Sequence, residues 1–356
     1  MSKFSRRDFL KLSGSALAMA FSSYKRWPTW DARILAPGSQ EDPPETRMGR
    51  VTAAGTAVYE KAERGAARVG YYGRDESFVI TGEVRAAGLN AHNDLWYAVE
   101  EGYVFSGWVQ PMLQYPPQPV HYDMGDWGFW GEICQPYTSA RLAPSATAPE
   151  KYRYYYGTTY HIIGVQVDDE GNAWYEAFDE LPPTTSYWLP APDVRRLTRA
   201  ELAPISPFIG DKRVEVDLAE QKVTCLENGL AVFSCRCASG AAFTMDDGTI
   251  ADFGTPRGEF NVLLKQASRH MVGEDESSPD YFDLPGVPWD IFFDLQGRAI
   301  HGTYWHNDYG VPRSHGCLNV SIDDARWIYR WTHPIGAYKD DYIRSNWRVG
   351  TPIIIY

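Results

Sequence analysis

"PRSHGCLNVS", residues 312–321, sets Ser314, His315, Gly316 and Cys317 in four consecutive positions. Such a run suits a metal corner, half of a disulfide, or a thiol prepared for nucleophilic attack. A thiol attacks as thiolate, and at its ordinary pKa of about 8.5 little of it is ionised at neutral pH, so a base or a positive field must stand nearby. His301 closes the predicted strand "RAIHG" and His315 lies two residues before the cysteine. A strand end and a facing loop can meet at hydrogen-bond distance. His301 is therefore read as the general base and His315 as an orienting, loop-holding group. Gly316 lets the chain turn tightly, so that the N–H groups of Gly316 and Cys317 can face the oxyanion of a tetrahedral intermediate.

The remaining cysteines narrow the choice. There are five, Cys134, Cys225, Cys235, Cys237 and Cys317, so pairing within one chain leaves at least one free thiol. "CRC" falls on a predicted strand and no C-x-x-C pair exists, which argues against zinc. Cys225 and Cys235 flank the Asn228-Gly229 turn but are offset from direct opposition, a poor geometry for a bridge. No metal or other cofactor is expected.

The amino terminus reads as an address. "SRRDFLK" (5–11) precedes a short apolar run ending Ala18-Met19-Ala20 and resembles a twin-arginine export signal over residues 1–20. The run is too short to span a bilayer, and no other segment could span one. Export to the periplasm or cell wall follows as an expectation. A net charge of −12, with no basic stripe, makes nucleic acid a poor partner.

After a Pro-, Ser- and Asp-rich linker (21–47) comes an internal repeat. "VGYYGRDESFVITGEV" (69–84) with "LWYAVEEGYVFSGWVQP" (95–111) is echoed by "YYYGTTYHIIGVQV" (154–167) with "AWYEAFDELPPTTSYWLP" (173–190). Trp96-Tyr97 aligns with Trp174-Tyr175, and Gly107-Trp108-Val109 with Tyr187-Trp188-Leu189. Short aromatic and β-branched runs between Gly, Asn and Asp turns signal small β-barrels. Both copies, over 48–115 and 128–192, resemble bacterial SH3-like domains. They are read either as glycan or wall contacts or as spacers whose aromatics are core. "APDVRRLTRAELAPISP" (191–207) reads as a short helical linker within 193–210. From 211 onward a meander with an Asn-Gly hairpin turn is followed by further strands. One helix lies behind the cysteine loop, capped by Ser321 with Asp324, its inner face Ala325, Ile328, Tyr329 and Thr332.

"AIHGTYWHNDYGVPRSHGCLNV" (299–320) resembles the H-G-T…S-H-G-C signature of YkuD-type L,D-transpeptidase catalytic domains, with twelve residues between His301 and Ser314. "TPRGEF" (255–260), the hairpin from "VDLAEQ" onward and "PWDIFFDLQGRAIHG" extend the resemblance over roughly 210–356, and 267–286 falls where that family carries a flap over the substrate.

The fold implied is mostly β: two SH3-like barrels, then a β-rich catalytic domain (211–356) with a short helix after the cysteine loop. The chemistry implied is attack by Cys317 on the diamino-acid carbonyl of a peptidoglycan stem tetrapeptide, release of D-alanine, and transfer to an amine. His301 carries the proton and the Gly302 carbonyl orients the imidazole. Gly316, Ser314, Asn319, Thr303 and Tyr304 are assigned to oxyanion and substrate binding, with Tyr304 and Trp305 on the cleft wall. His306 and His270 receive no catalytic role, and Trp289 is assigned to the core. Two rivals remain: a carboxypeptidase sharing the acyl-enzyme, and a non-catalytic exported wall-binding protein.

Overall fold

The computed structural model describes residues 46–181, 186–244, 248–273, 281–345 and 350–356. The expected export signal, and all but the end of the linker after it, lie outside those residues. So do residues 274–280, part of the 267–286 segment expected to be the flap.

Strands dominate, and they fall into three successive regions. In the first, a five-stranded sheet and a three-stranded sheet between Arg47 and Leu113 enclose Val51, Val58, Phe78, Tyr97, Val104 and Val109. In the second, a seven-stranded sheet runs from Phe129 to Arg196 around Phe129, Ile133, Tyr154, Ile162, Tyr175 and Leu189. The repeated Trp-Tyr pairs are core in both: Trp96, Tyr97, Trp174 and Tyr175 are all buried.

The repeat alignment needs one correction. In the first region the 3-10 turn Ser106–Trp108 leads into the strand Val109–Leu113. In the second, the matching turn is Ala191–Asp193, leading into Val194–Arg196. The counterpart of Gly107-Trp108-Val109 is therefore Pro192-Asp193-Val194, whereas Tyr187-Trp188-Leu189 lies on the strand before the turn. Beyond the 3-10 turn at its start, the 191–207 segment is not helical. Val194–Arg196 pairs with Phe129–Ile133, because Val194 completes the second core and the open edge of that strand recruits the chain. The second β region thus extends into the 193–210 segment expected to be linker.

Among the described residues, the third region has two five-stranded sheets, a two-stranded pair (Ala242–Thr244 with Ile250–Asp252) and one α-helix. In the first sheet, Lys212–Asp217 alternates buried and half-buried side chains, as a strand with one face on a core must. Asn228 and Gly229 both take positive φ (50° and 79°), which closes the next hairpin in two residues. The second sheet runs in the order Leu318–Val320, Ala299–Gly302, Asp283–Phe292, Leu264–Val272, Ile343–Arg344. Helix α1 (Ile322–Trp331) packs on it. Ser321 Oγ accepts the Asp324 N–H at 3.1 Å, while Ala325, Ile328, Tyr329 and Trp331 are buried.

The far end of α1 is fixed by two lysines. Lys212 Nζ donates to the Trp331 carbonyl (2.7 Å), and Lys265 Nζ to those of Tyr329 and Thr332 (both 2.8 Å). These are the unsatisfied carbonyls of a helix C-terminus, where positive charge is favoured. Burial, with Lys212 nearby, pushes Lys265 down to about 7. Trp289 sits in the core under the helix. No disulfide forms among the five cysteines: Val223, not Cys225, faces Cys235 across the hairpin.

Candidate active site

The last two strands of the second sheet bring the signature together. Ala299–Gly302 and Leu318–Val320 run parallel, with Ile300 beside Leu318 and His301 beside Asn319. Residues opposed across neighbouring strands share a face, and side chains alternate along each strand. Ile300 and Leu318 point into the core with α1. His301 and Asn319 therefore point to the other face, and Cys317, two positions before Asn319, continues that face beside Ala299.

The row extends further. Ile291 faces Ile300, so Asp290 stands opposite His301, and Gln266 faces Asp290 in turn. Gln266, Asp290, His301 and Asn319 thus form one polar line across four strands. All four are buried. Both carboxylate oxygens of Asp290, Gln266 Oε1 and Asn319 Oδ1 lack a hydrogen-bond partner. Burial raises Asp290 well above the ordinary carboxylate range. Nothing in the sequence singled it out; only the register places it beside the histidine.

His301 Nδ1 lies 3.1 Å from the Gly302 carbonyl. A carbonyl only accepts, so Nδ1 carries the proton and Nε2 keeps its lone pair. Burial lowers His301 to about 4, with the Gly302 carbonyl working the other way. Burial likewise pushes the half-buried Cys317 up to about 11. The Ala299 backbone N–H opposes this, Asp290 and Asp294 add to it, and Arg298 subtracts. Both shifts favour a neutral thiol beside a neutral imidazole rather than a preformed ion pair.

The cysteine loop is held by hydrogen bonds. Ser314 Oγ donates to the Cys317 carbonyl (2.5 Å) and accepts the Gly316 N–H (3.1 Å). Thr255 Oγ1 donates to the Gly316 carbonyl (2.9 Å) and accepts the Gly240 N–H (2.8 Å). Gly316 has φ +115°, and a Cβ there would stand 2.9 Å from Arg298 Nε, so only glycine suits the position. Thr255 opens the "TPRGEF" motif but was not singled out. One expectation changes: the Gly316 N–H serves Ser314 instead of an open oxyanion site.

Other expected site residues are placed differently. His315 is exposed and stacks on Phe243 (centroids 4.8 Å, 14°), with Phe253 edge-on at 4.7 Å and Phe282 at 5.6 Å. Thr303 is buried, its Oγ1 2.7 Å from the Tyr309 hydroxyl and 3.2 Å from the Val320 carbonyl. Tyr304, expected on the cleft wall, is buried; its hydroxyl donates to the Pro285 carbonyl (3.1 Å) and its ring stacks on Tyr155. Trp305 is half-buried, with its ring 5.8 Å from His301.

The Asn319 amide meets His306 Nε2 at 3.0 Å, while His306 Nδ1 accepts the Asp308 N–H. Burial, with Arg313 nearby, lowers His306 to about 3, so the ring is neutral and its proton sits on Nε2. The amide oxygen of Asn319 then faces it, which satisfies the orphaned Oδ1. Asn319 is thereby occupied within the protein. His270 is bound on both sides, to Asp179 (2.8 Å) and Asp283 (2.6 Å).

Among the described residues, no group of three His, Cys, Asp or Glu side chains could hold a metal ion, and no helix is long and apolar enough to cross a membrane. A cleft of about 710 Å³ lined by Tyr122, Trp127, Arg196 and Lys339 contains none of these site residues.

Residues 211–355 match the model of the YkuD L,D-transpeptidase catalytic domain. The chain is similar to the putative L,D-transpeptidase YciB of Bacillus subtilis, 25% identical over 132 residues, which is 35% of this chain and 63% of that protein. It is 32% identical over 84 residues to probable L,D-transpeptidase 3 of Mycobacterium tuberculosis, 22% of this chain and 31% of that protein. The chain thus spans less than two thirds of the length of these relatives. Among solved structures, it is similar to an L,D-transpeptidase of Xylanimonas cellulosilytica (25% identity, 41% of this chain and 60% of that one, TM-score 0.29). Another is from Mycobacterium smegmatis (20% identity, 54% and 80%, TM-score 0.33).

Proposed function

We propose that the protein is an exported peptidoglycan L,D-transpeptidase acting through a Cys317 thioester. The observation that carries the reading is the juxtaposition of His301 and Cys317 on one sheet face within the matched domain, with Nε2 of His301 left unprotonated. Nε2 takes the thiol proton as sulfur bonds to the carbonyl carbon of the third stem residue, a diamino acid. The Cys317 N–H stabilises the oxyanion. The intermediate collapses by breaking the C–N bond to D-alanine, whose nitrogen receives the proton from His301. An acceptor amine then attacks the thioester, gives its proton to His301 and expels the thiolate. Burial lowers His301 to about 4, so its Nε2 lone pair is free at neutral pH.

Around this chemistry, Ser314, Gly316 and Thr255 hold the loop, and the Gly302 carbonyl fixes the imidazole tautomer. His315, with Phe243, Phe253 and Phe282, forms an aromatic wall for the stem peptide. "SRRDFLK" supports export by the twin-arginine route, and the two N-terminal β regions are read as SH3-like.

The test is intact-mass analysis after exposure to a carbapenem. One covalent adduct is expected, lost in Cys317→Ala and slowed about 100-fold or more in His301→Ala. An adduct that survives Cys317→Ala sinks the assignment. Tetrapeptide stems with and without an amine acceptor separate transfer from hydrolysis: tripeptide as the sole product in both mixtures would favour the carboxypeptidase.

A further inference from the structure

We propose that the first β region is a positioning module for the active site, clamping the segment 303–313 that joins His301-Gly302 to Ser314-His315-Gly316-Cys317. The module lies outside the matched residues 211–355 and the clamped segment inside them, and the kinetic readouts rest on the transpeptidase reading. Two buried charged anchors carry the inference.

The first is Arg50, 2% exposed. Its guanidinium donates to Asp75 Oδ1 (2.7 Å), to Gln110 Oε1 (2.7 and 3.1 Å) and to the Tyr304 carbonyl (2.5 Å). It also lies 4.2 Å over the ring of Tyr155, which stacks on Tyr304 at 5.3 Å. The next residue is Trp305, the neighbour of the His301 ring.

The second anchor is Asp308, fully buried. Its Oδ1 meets His92 Nε2 (2.8 Å) and Asn93 Nδ2 (3.5 Å). Its Oδ2 accepts from Asn90 Nδ2 (3.2 Å) and pairs with Arg313, the residue before Ser314. Asn307 adds bonds to the Gly107 and Ser106 carbonyls and to the Tyr97 hydroxyl, each 3.3 Å. A Cβ at Gly107 would stand 3.0 Å from Asp308 Oδ1. The glycine of the Ser-Gly-Trp turn thus lies between the Phe105 ring, 2.7 Å from such a Cβ, and the active-site segment.

If the segment left the first β region, Arg50 would lose the Tyr304 carbonyl and Asp308 would lose His92, Asn90 and Asn93, while each kept its ion partner, Asp75 or Arg313; hydrogen bonds to buried charges are costly to leave unmade. The partners of one anchor lie next to the residues flanking His301, those of the other next to the residues preceding the nucleophile loop. Residues 50–110 thereby set the distance and angle between base and thiol, and small displacements there are expensive in rate.

The test uses the full chain. In Asn90→Ala/His92→Ala, turnover of a tetrapeptide should fall about 10- to 100-fold with KM changed less than about threefold. The pH profile of Cys317 alkylation by iodoacetamide should shift, and amide exchange in 303–313 should rise. His92→Gln, which keeps a donor for Asp308, should recover activity to within about threefold of the unaltered protein. Circular dichroism guards against misfolding, and Arg50→Lys tests the other anchor if the double variant is unstable. Unchanged turnover with an unchanged alkylation profile in folded variants would overturn the proposal and leave the first region a spacer. If the unaltered protein turns over no stem peptide, the proposed function fails, while alkylation and amide exchange still decide this inference.

Discussion

Asp290 is the residue whose environment is hardest to reconcile with a purely structural role. It is a carboxyl whose two oxygens have no hydrogen-bond partner, on the same sheet face as His301 and Cys317 and directly opposite His301. Its folded pKa is raised by burial, so the folded state keeps a proton that the unfolded chain releases near pH 4. The stability it contributes is intact below that pH and erodes as pH rises toward the folded value. Asp290→Asn should therefore be about 1–3 kcal/mol more stable than the unaltered protein in urea unfolding at pH 8, and nearly equal to it at pH 4. The same gain at both pH values would mean that the carboxyl is not held protonated.

At the scale of elements, the cysteine loop depends on the helix behind it. Ser321 ends "PRSHGCLNVS" and caps α1, and α1 packs under the strands bearing His301 and Asn319. Ser321→Ala removes the acceptor for the Asp324 N–H and should cost about 1 kcal/mol in thermal or denaturant unfolding. A loss below a few tenths of a kcal/mol would show that the two lysines at the other end already fix the helix. This capping signal was readable because it is local: a serine, an acidic residue three positions on, and a 3.6-residue apolar period. The strands from Lys212 to Arg236 and the Asn-Gly turn were readable for the same reason. The 191–207 segment was misread because its prolines and charges resemble a linker, whereas its strand exists only by pairing with a partner some sixty residues earlier.

Among the described residues, the two β regions are fastened to the third region by buried charges as well as apolar contacts. Glu132, on the second region, bonds Arg195 (2.5 and 3.2 Å) and pairs with Arg326 of α1. Removing one partner of a buried pair strands the other, so Glu132→Ala should lower stability by about 3 kcal/mol. It should also split one calorimetric unfolding transition into two, as the regions lose their coupling. A single transition with less than about 0.5 kcal/mol lost would assign Glu132 to an ordinary surface pair.

What the sequence determined by itself was short-range: the His301-Gly302 and Ser314-to-Cys317 motif, the glycine that allows the loop to turn, the capped helix, the repeated Trp-Tyr cores and the β-rich texture. These depend on spacing and on the intrinsic preferences of a few adjacent residues. Tertiary structure decided which side chains actually meet. It withdrew Thr303, Tyr304 and Asn319 into internal contacts, gave the Gly316 N–H to Ser314, turned His315 toward a phenylalanine wall, and brought in Thr255, Asp290, Arg50 and Asp308. Strand register and domain packing join residues tens to hundreds of positions apart, and no local pattern records those pairings.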